Sequence, residues 1–377
     1  MENRTAKGGL FTFVFVILLL PLLQHALSLV KSGELLCAST KTPYVTFSFP
    51  KWWDGSYQKE KTLVLNDSVG FRPDLVRLNN QIDFSLFRKL SSGNIIGYDG
   101  YVFGKEDVLE YSGDAYMGTE AIREEMIEMK HLQDTLRRLG KTFVFVYAPS
   151  KAHYVPEKIP GLLTRMRKPR INNYKMFRVM GDSLKINQLD YVALFGSMRD
   201  TSQNLLMTRQ GYHWSIYGSL IATDTMIKFI ERERNITMPH LVLTKTHHTE
   251  TASDSDDDLV KCTNLIFPLA HERYSYAEHY YQGNTQTTRP RVFIAGDSFV
   301  WGWIAAGFLQ NATASWKYWS YFGDMWTEAG VKDIRDYEWK KALAETDCVI
   351  VLVTTTNLHL LPRENRFVGQ IYHHFYP

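Results

Sequence analysis

Residues 291 to 299 read Arg291-Val292-Phe293-Ile294-Ala295-Gly296-Asp297-Ser298-Phe299. The apolar run at 292–295 has no polar interruption, which predicts a strand buried on both faces, as in parallel sheets. Ligands of open parallel sheets bind at the carboxyl ends of the strands. A serine directly after such a strand is held by the sheet and exposed at its edge, and Gly296 permits the tight exit from the strand. Ser298 is therefore a candidate nucleophile, with a plain turn serine as the alternative.

Two other segments have the same strand character, at residues 142–148 and 349–354. Helical patterns precede or separate these runs, at residues 119–139, 215–231 and 338–344. We expect Thr119 to cap the first of these helices. Helices that alternate with apolar strands predict an α/β fold with a doubly wound parallel sheet.

The tripeptide Gly-Asp-Ser occurs a second time, as Gly181-Asp182-Ser183. The residues before this copy, 175–180, are interrupted by polar side chains and do not form a β-type run. We interpret the second copy as part of a helix or loop. The preceding strand, and not the tripeptide, therefore distinguishes Ser298.

A serine nucleophile requires a base. Of the twelve histidines, His213 stands immediately before the helical pattern at 215–231, in Gly211-Tyr212-His213-Trp214-Ser215. The positive end of a helix lowers the pKa of a nearby imidazole, which keeps it neutral and able to accept a proton. His213 is the candidate base, and a histidine packed beside Trp214 is the alternative.

The N-terminus carries a hydrophobic segment with a basic flank. Arg4 and Lys7 precede an apolar run at 10–23 that continues less purely to Val30 and is followed by Lys31. This pattern favours a signal anchor over a cleaved signal peptide, for which residues 25–28 are a mediocre cleavage site. Either alternative places the chain after residue 31 outside the cytoplasm.

Composition excludes some classes of function. A net charge of +3 on 377 residues, without any nucleic-acid-binding motif, argues against nucleic acid as a partner. The three cysteines (Cys37, Cys262 and Cys348) have no C-x-x-C spacing, so they predict no metal site and leave open whether a disulfide forms. The polar segment at 246–260, with acidic residues at 254 and 256–258, lacks the glycine and distal glutamate of an EF-hand, and we interpret it as a solvated loop.

The segment around His213 resembles the Asp-x-His-Trp motif of the AlgJ/AlgX group of alginate O-acetyltransferases, a circularly permuted branch of the SGNH hydrolases that includes DHHW proteins. The order is also similar, with His-Trp first and Gly-Asp-Ser-Phe later. Further similar motifs lie at 70–72, 97–103 and 149–151, and before Thr356-Asn357, so that the resemblance spans most of residues 47–370. It implies an SGNH-hydrolase-like domain at 96–377, after the anchor (1–31) and an aromatic-rich segment (32–95).

The same resemblance implies an O-acetyltransferase that places acetyl groups on an exported or cell-envelope polysaccharide. A membrane-bound O-acyltransferase supplies the acetyl group in this family, and no cofactor or metal is needed. The aspartate of the family motif falls on Gly211 here. A different group must then orient His213, or a Ser-His dyad works slowly, or the site is inactive. Asp190 and Asp200 precede the motif and are candidates that the spacing does not decide, whereas we expect the Asp297 side chain to point elsewhere.

Three further residues are candidates for substrate binding. Trp301 and Trp303 follow the serine and are candidates for a sugar-stacking platform, with packing under the next helix as the alternative. Asn357 follows the strand at 349–354 and is a candidate oxyanion donor, with a turn or cap role as the alternative. Two other functions remain open: a non-catalytic glycan-binding or scaffold partner of a membrane acyltransferase, which Gly211 favours, and a carbohydrate acetylesterase.

Overall fold

The computed structural model describes residues 2–37, 43–161, 163, 171–253, 255–269, 272–361 and 367–376. The chain divides into two compact units, Met1–Ser92 with Val260–Pro268, and Gly93–Leu259 with Leu269–Pro377. The first unit also includes residues 260–268, which follow the acidic run in the sequence. Asp254, part of the acidic run, lies outside the described residues.

The first unit is helical. Its helices are α1 (Glu2–Leu27), α2 (Phe49–Trp53), α3 (Ser56–Ser68) and α4 (Arg72–Phe87). Within α1, Ala6–Leu27 is long and apolar enough to cross a bilayer, and it is almost entirely unburied. A disulfide joins Cys37 to Cys262, whereas Cys348, in the second unit, is a buried free thiol. The sequence had left this pairing open.

The second unit contains the other helices and the strands. Its helices are α5 (Lys105–Tyr111), α6 (Thr119–Arg138), α7 (Lys151–Tyr154), α8 (Asn173–Ser183), α9 (Tyr191–Met198), α10 (Ile216–Arg234), α11 (Asp258–Lys261, whose last two residues belong to the first unit), α12 (Val300–Ala305), α13 (Phe308–Ala312), α14 (Trp339–Ala344) and α15 (Phe367–Phe375). Its strands are β1 (Ile95–Ile96), β2 (Val102–Phe103), β3 (Thr142–Ala148), β4 (Gln188–Asp190), β5 (His240–Thr249), β6 (Tyr274–Gln282), β7 (Arg291–Gly296), β8 (Ser315–Ser320), β9 (Asp324–Thr327), β10 (Gly330–Asp333) and β11 (Cys348–Thr354).

A mostly parallel sheet forms the centre of this unit, in the order β10-β9-β8-β7-β11-β3-β4. Strands β8, β7, β11, β3 and β4 run parallel, and β9 and β10 add an antiparallel edge beside β8. The three apolar runs found in the sequence are the central strands β7, β11 and β3. Each is buried almost throughout because helices cover both faces of the sheet. The predicted doubly wound α/β fold is confirmed.

Separate hydrophobic cores fill the two faces of the sheet. The apolar stripe of α6, from Ile122 to Leu136, packs on one face with Phe177 of α8. On the other face, residues of α10 such as Ile227 pack with Val300 and Trp303 of α12. Alternate side chains of each central strand enter opposite cores, which fixes the register of the strands.

Local details differ from the sequence prediction at a few positions. Gly118, and not Thr119, is the N-cap residue of α6. Residues 246–249 belong to β5, which pairs with β6 as an antiparallel hairpin, so the predicted loop at 246–260 begins four residues later than expected. The second Gly-Asp-Ser is helical, as predicted, and ends α8.

Candidate active site

Close packing between neighbouring strands places Ser298 at the carboxyl edge of the sheet. A side chain at Gly296 would put its Cβ 2.2 Å from the Leu352 carbonyl oxygen of β11, so only glycine fits there. The next residue, Asp297, is buried and accepts a hydrogen bond from the Thr354 N–H at 2.7 Å. This link fastens the end of β7 to the end of β11 and holds Ser298 just beyond them.

The packing of Trp214 fixes the position of His213. Trp214 is buried, and its ring lies 5.2 Å from that of Phe299 and 5.9 Å from that of Trp303, measured between centroids. The following residue, Ser215, caps α10 by accepting a hydrogen bond from the Gly218 N–H at 2.8 Å. The backbone at His213 is therefore fixed by the buried Trp214 ring and by the capped start of α10 that follows it.

A chain of hydrogen bonds joins a hydroxyl, an imidazole and a carboxylate. His213 Nε2 lies 2.8 Å from Ser298 Oγ, and His213 Nδ1 lies 2.7 Å from Asp258 Oδ2. The second oxygen of Asp258 accepts the Tyr212 N–H at 2.5 Å, which fixes the orientation of the carboxylate. With Nδ1–H donating to Asp258, Nε2 is free to accept the serine proton. This is the arrangement of a Ser-His-Asp triad.

The carboxylate comes from the acidic run and not from the position that the family motif uses. A Cβ at Gly211 would lie 2.6 Å from both the Ser255 carbonyl oxygen and Thr208 Oγ1, and 2.9 Å from the Asp256 carbonyl oxygen. The chain that delivers Asp258 therefore packs directly against Gly211. The space that an aspartate would need at position 211 is filled by the backbone that brings Asp258 to the imidazole.

The two aspartates that the sequence left as candidates are engaged elsewhere. Asp190 caps α9 through the Ala193 N–H and forms an ion pair of 2.8 Å with Arg178. Asp200 is exposed and pairs with Arg199. The interpretation of the acidic run as a solvated loop was wrong for Asp258, whose carboxylate is hydrogen-bonded to His213 and Tyr212.

Asp256 helps to hold the same segment. Its side chain is buried, which raises the pKa of the carboxyl to about 7. Its Oδ1 accepts the Ile216 N–H at the start of α10, and its carbonyl oxygen accepts a hydrogen bond from the Thr208 hydroxyl at 2.6 Å. The acidic run is thus tied to both sides of the His213 segment.

A buried lysine also holds the segment that leads into His213. Lys151 begins α7, shortly after the end of β3, and it is fully buried, which lowers the pKa of its ammonium group to about 8. Its Nζ donates to the Val102 carbonyl oxygen at 2.8 Å and to the Arg209 carbonyl oxygen at 2.7 Å. Lys151 therefore joins β2 to the segment that leads into His213.

A cavity of about 270 Å³ opens beside Ser298 and His213. Its walls are mostly apolar and include Trp301, which is 40% exposed. Trp303, in contrast, is fully buried in the core. The expectation that Trp303 forms part of a sugar platform was wrong, because its ring faces cannot be reached.

The Asn357 side chain does not line this cavity and contacts Asp297 instead. Its Nδ2 donates to Asp297 Oδ2 at 3.0 Å, so this amide already serves the β7–β11 link. A role as oxyanion donor stays a prediction, and it would use the second N–H of the same amide. Among the described residues, no group of three or more His, Cys, Asp or Glu side chains is arranged to hold a metal ion.

The family model described as "SGNH hydrolase-like domain, acetyltransferase AlgX" matches residues 95–316. No curated protein sequence matches the chain. Similar solved structures include the O-acetyltransferase domain of Pseudomonas putida AlgJ, with 15% identity over 74% of this chain and 99% of that chain and a TM-score of 0.49. Pseudomonas aeruginosa AlgX has 15% identity over 73% and 69% of the two chains and a TM-score of 0.46. Bacillus cereus PatB1 with a sulfonyl adduct has 10% identity over 70% and 97%, with a TM-score of 0.43.

Proposed function

Because the chain belongs to the family of SGNH hydrolase-like, AlgX-type acetyltransferase domains, we propose that it transfers acetyl groups to hydroxyls of an exported or cell-envelope polysaccharide. The observation that carries this proposal is the continuous hydrogen-bond chain from Ser298 through His213 to Asp258. The reaction proceeds through an acetyl-serine intermediate. Gly211 favoured an inactive scaffold because the aspartate of the family motif is missing there. Asp258 places a carboxylate beside His213, which favours an active enzyme instead.

In the first half of the reaction, His213 Nε2 takes the proton of Ser298 as the hydroxyl attacks the acetyl carbonyl. Asp258 stabilises the imidazolium that forms and keeps the correct tautomer. The imidazolium then protonates the leaving group of the donor. In the second half, a sugar hydroxyl gives its proton to His213 and attacks the acetyl-serine. The imidazolium then returns this proton to Ser298 Oγ as the bond between Oγ and the acetyl carbon breaks, which releases the acetylated polysaccharide.

The Ser298 backbone N–H is the proposed donor to the oxyanion. Among the residues that the structure describes, this N–H has no protein acceptor, whereas the N–H groups of Phe299, Val300 and Trp301 are bonded to residues 297 and 298. A free donor on the attacking residue lies close to where the negative charge of the tetrahedral intermediate develops. The exposed ring of Trp301 in the adjoining cavity is the proposed stacking face for the acceptor sugar.

The location of the protein is part of the proposal. The Cys37–Cys262 disulfide is typical of an oxidising compartment outside the cytoplasm. The apolar helix α1 is compatible with a membrane anchor. We therefore assign the second unit to the periplasmic or extracellular side, with a membrane-bound O-acyltransferase as the source of acetyl groups.

The chain provides its own matched control for a test of the nucleophile. The purified protein is treated with a serine-directed phosphonate, and acetyl transfer from a chromogenic acetyl ester to oligosaccharide acceptors is measured in parallel. Ser298→Ala should abolish both the labelling and the transfer. Ser183→Ala, which alters the exposed serine of the second Gly-Asp-Ser at the end of α8, should change neither.

Two results would overturn the proposal. If the phosphonate labels the protein equally well with and without Ser298, then Ser298 is not the nucleophile. If Ser298 is labelled but acetyl groups pass only to water at every acceptor concentration, then the protein is an acetylesterase.

A further inference from the structure

Helix α4 exposes its apolar face and uses polar side chains for its contacts, which is the reverse of a helix in a water-soluble protein. Its apolar stripe, defined as Leu75, Leu78, Ile82 and Leu86, recurs at the spacing of one helix face. All four side chains are exposed, and Leu86 reaches 71%. In a soluble helix this face covers the core.

The polar side chains of α4 make the contacts within the first unit instead. Asn80 is only 7% exposed and donates to the Thr263 carbonyl oxygen at 2.7 Å. Arg77 donates to the carbonyl oxygens of Gly33 at 3.0 Å and Glu34 at 2.6 Å. The orientation of α4 is therefore fixed by specific hydrogen bonds, and these leave the stripe pointing outward.

The turn before α4 is packed on the last turns of α1. His25 Nδ1 lies 2.6 Å from the Ser68 carbonyl oxygen at the end of α3. A Cβ at Gly70 would lie 2.2 Å from the Pro21 carbonyl oxygen, so the turn between α3 and α4 touches the backbone of α1. Helix α4 thus begins next to the end of the segment that is long and apolar enough to cross a bilayer.

We propose that α4 lies in the lipid interface, with the apolar stripe in the boundary between headgroups and acyl chains. Helix α4 starts at the end of the membrane span and exposes a row of leucine and isoleucine side chains. Such a helix can lie along the membrane surface and bury these side chains in the interface. Neighbouring residues fit the same location. Phe49, Trp52 and Trp53 of α2 are exposed aromatic side chains of the kind enriched at membrane interfaces.

Basic side chains flank the stripe. Arg72 lies at the start of α4, and Arg88 and Lys89 follow its end. Cations at the two ends of an interfacial helix favour contact with anionic headgroups. The proposal rests on α1 remaining part of the mature chain, and it does not depend on the acetyl-transfer chemistry of the second unit.

The test uses the full-length chain in lipid nanodiscs at one protein per disc. Single cysteines replace Leu78 and Leu86 in the stripe, and Arg335, a solvent-exposed residue of the second unit, provides the control. Each cysteine carries an environment-sensitive fluorophore. The native thiol of Cys348 is buried, and the other two cysteines are joined in a disulfide, so neither competes for the label.

In discs made with brominated lipids, the labels of Leu78→Cys and Leu86→Cys should lose most of their fluorescence, and the label of Arg335→Cys should lose none. Emission that is shifted to the blue without quenching would show a protein occupant of the stripe and overturn the proposal. Emission typical of water at positions 78 and 86 would also overturn it. An intact mass that lacks α1 would do the same, because the stripe would then have no span beside it.

Discussion

Replacement of Asp258 by asparagine tests the part of the site that the family motif does not supply. The asparagine Oδ1 can still accept the Tyr212 N–H, as the Asp258 oxygen does at 2.5 Å. The amide nitrogen then faces His213 Nδ1, where Asp258 Oδ2 now lies at 2.7 Å. This nitrogen can only donate, so Nδ1 must accept and the imidazole proton moves to Nε2. Nε2 can then no longer take the proton of Ser298.

The magnitude follows from comparable triads and from the exposure of this one. The equivalent change in a serine protease lowers kcat by about 10⁴, which corresponds to ~5.4 kcal/mol of transition-state stabilisation. The side chains of His213 and Asp258 are 21% and 22% exposed, so water can take over part of the role of the carboxylate. We therefore expect kcat/KM for acetyl transfer to fall about 10³- to 10⁴-fold in Asp258→Asn.

The assay is steady-state acetyl transfer from a chromogenic ester, with circular dichroism as a check of the fold. Asp224→Asn is the matched control, because Asp224 forms only a surface ion pair with Lys228 and such pairs contribute little. In Asp258→Ala, added formate should restore part of the rate by placing a free carboxylate behind the imidazole. Retention of more than about a tenth of the wild-type kcat/KM in Asp258→Asn, a change below ~1.4 kcal/mol, would refute the role of this carboxylate.

Three further changes have defined outcomes. Gly211→Ala should lower activity and destabilise the fold by about 1–3 kcal/mol in denaturant titration, because its Cβ would meet three oxygen atoms at under 3 Å. Gly196→Ala is the control and should not destabilise the fold, because its Cβ would meet nothing within 4 Å. Equal stability of the two variants would contradict the close packing at position 211. The pKa of Asp256 is raised to about 7 by burial, so its contribution to stability is fully present below about pH 4 and is lost as the pH rises through 7. Asp256→Asn should therefore lose less stability than the wild type between pH 5 and pH 8, while the buried carboxyls of Asp107, Glu110 and Glu125 keep part of the pH dependence. An equal loss of stability in the variant and the wild type would contradict this. Trp301→Ala should raise KM for the acceptor about 5- to 10-fold, because the acceptor sugar loses its proposed stacking face. Labelling of Ser298 by the phosphonate should change little. A loss of labelling would indicate a structural role of Trp301 instead.

Local patterns predicted the elements of the fold because their causes are local. The buried strands at 142–148 and 349–354 were visible as uninterrupted apolar runs. The antiparallel strands β9 and β10 were not predicted. They lie at the edge of the sheet and carry mixed polar and apolar residues, so the sequence contains no clear period of two.

The two tryptophans after the serine show what could have been predicted and was not. Trp301 and Trp303 are two residues apart in α12, and such residues do not share a helix face. One of them can line the cavity only if the other turns into the core. Which one does so depends on the packing against Trp214, whose ring lies 5.9 Å from that of Trp303.

Local sequence was enough to predict the strand that carries Ser298, the helix that follows His213 and the apolar segment at the N-terminus, because each depends on residues that are neighbours in the chain. The carboxylate that contacts His213 could be identified only from the folded chain. Asp258 is separated from His213 by 45 positions, and an acidic run has the same sequence appearance whether it is solvated or folded into a site. The same limit applies to α4, whose apolar stripe was visible from its spacing. The side to which that stripe points is set by hydrogen bonds of Arg77 and Asn80 to distant parts of the chain.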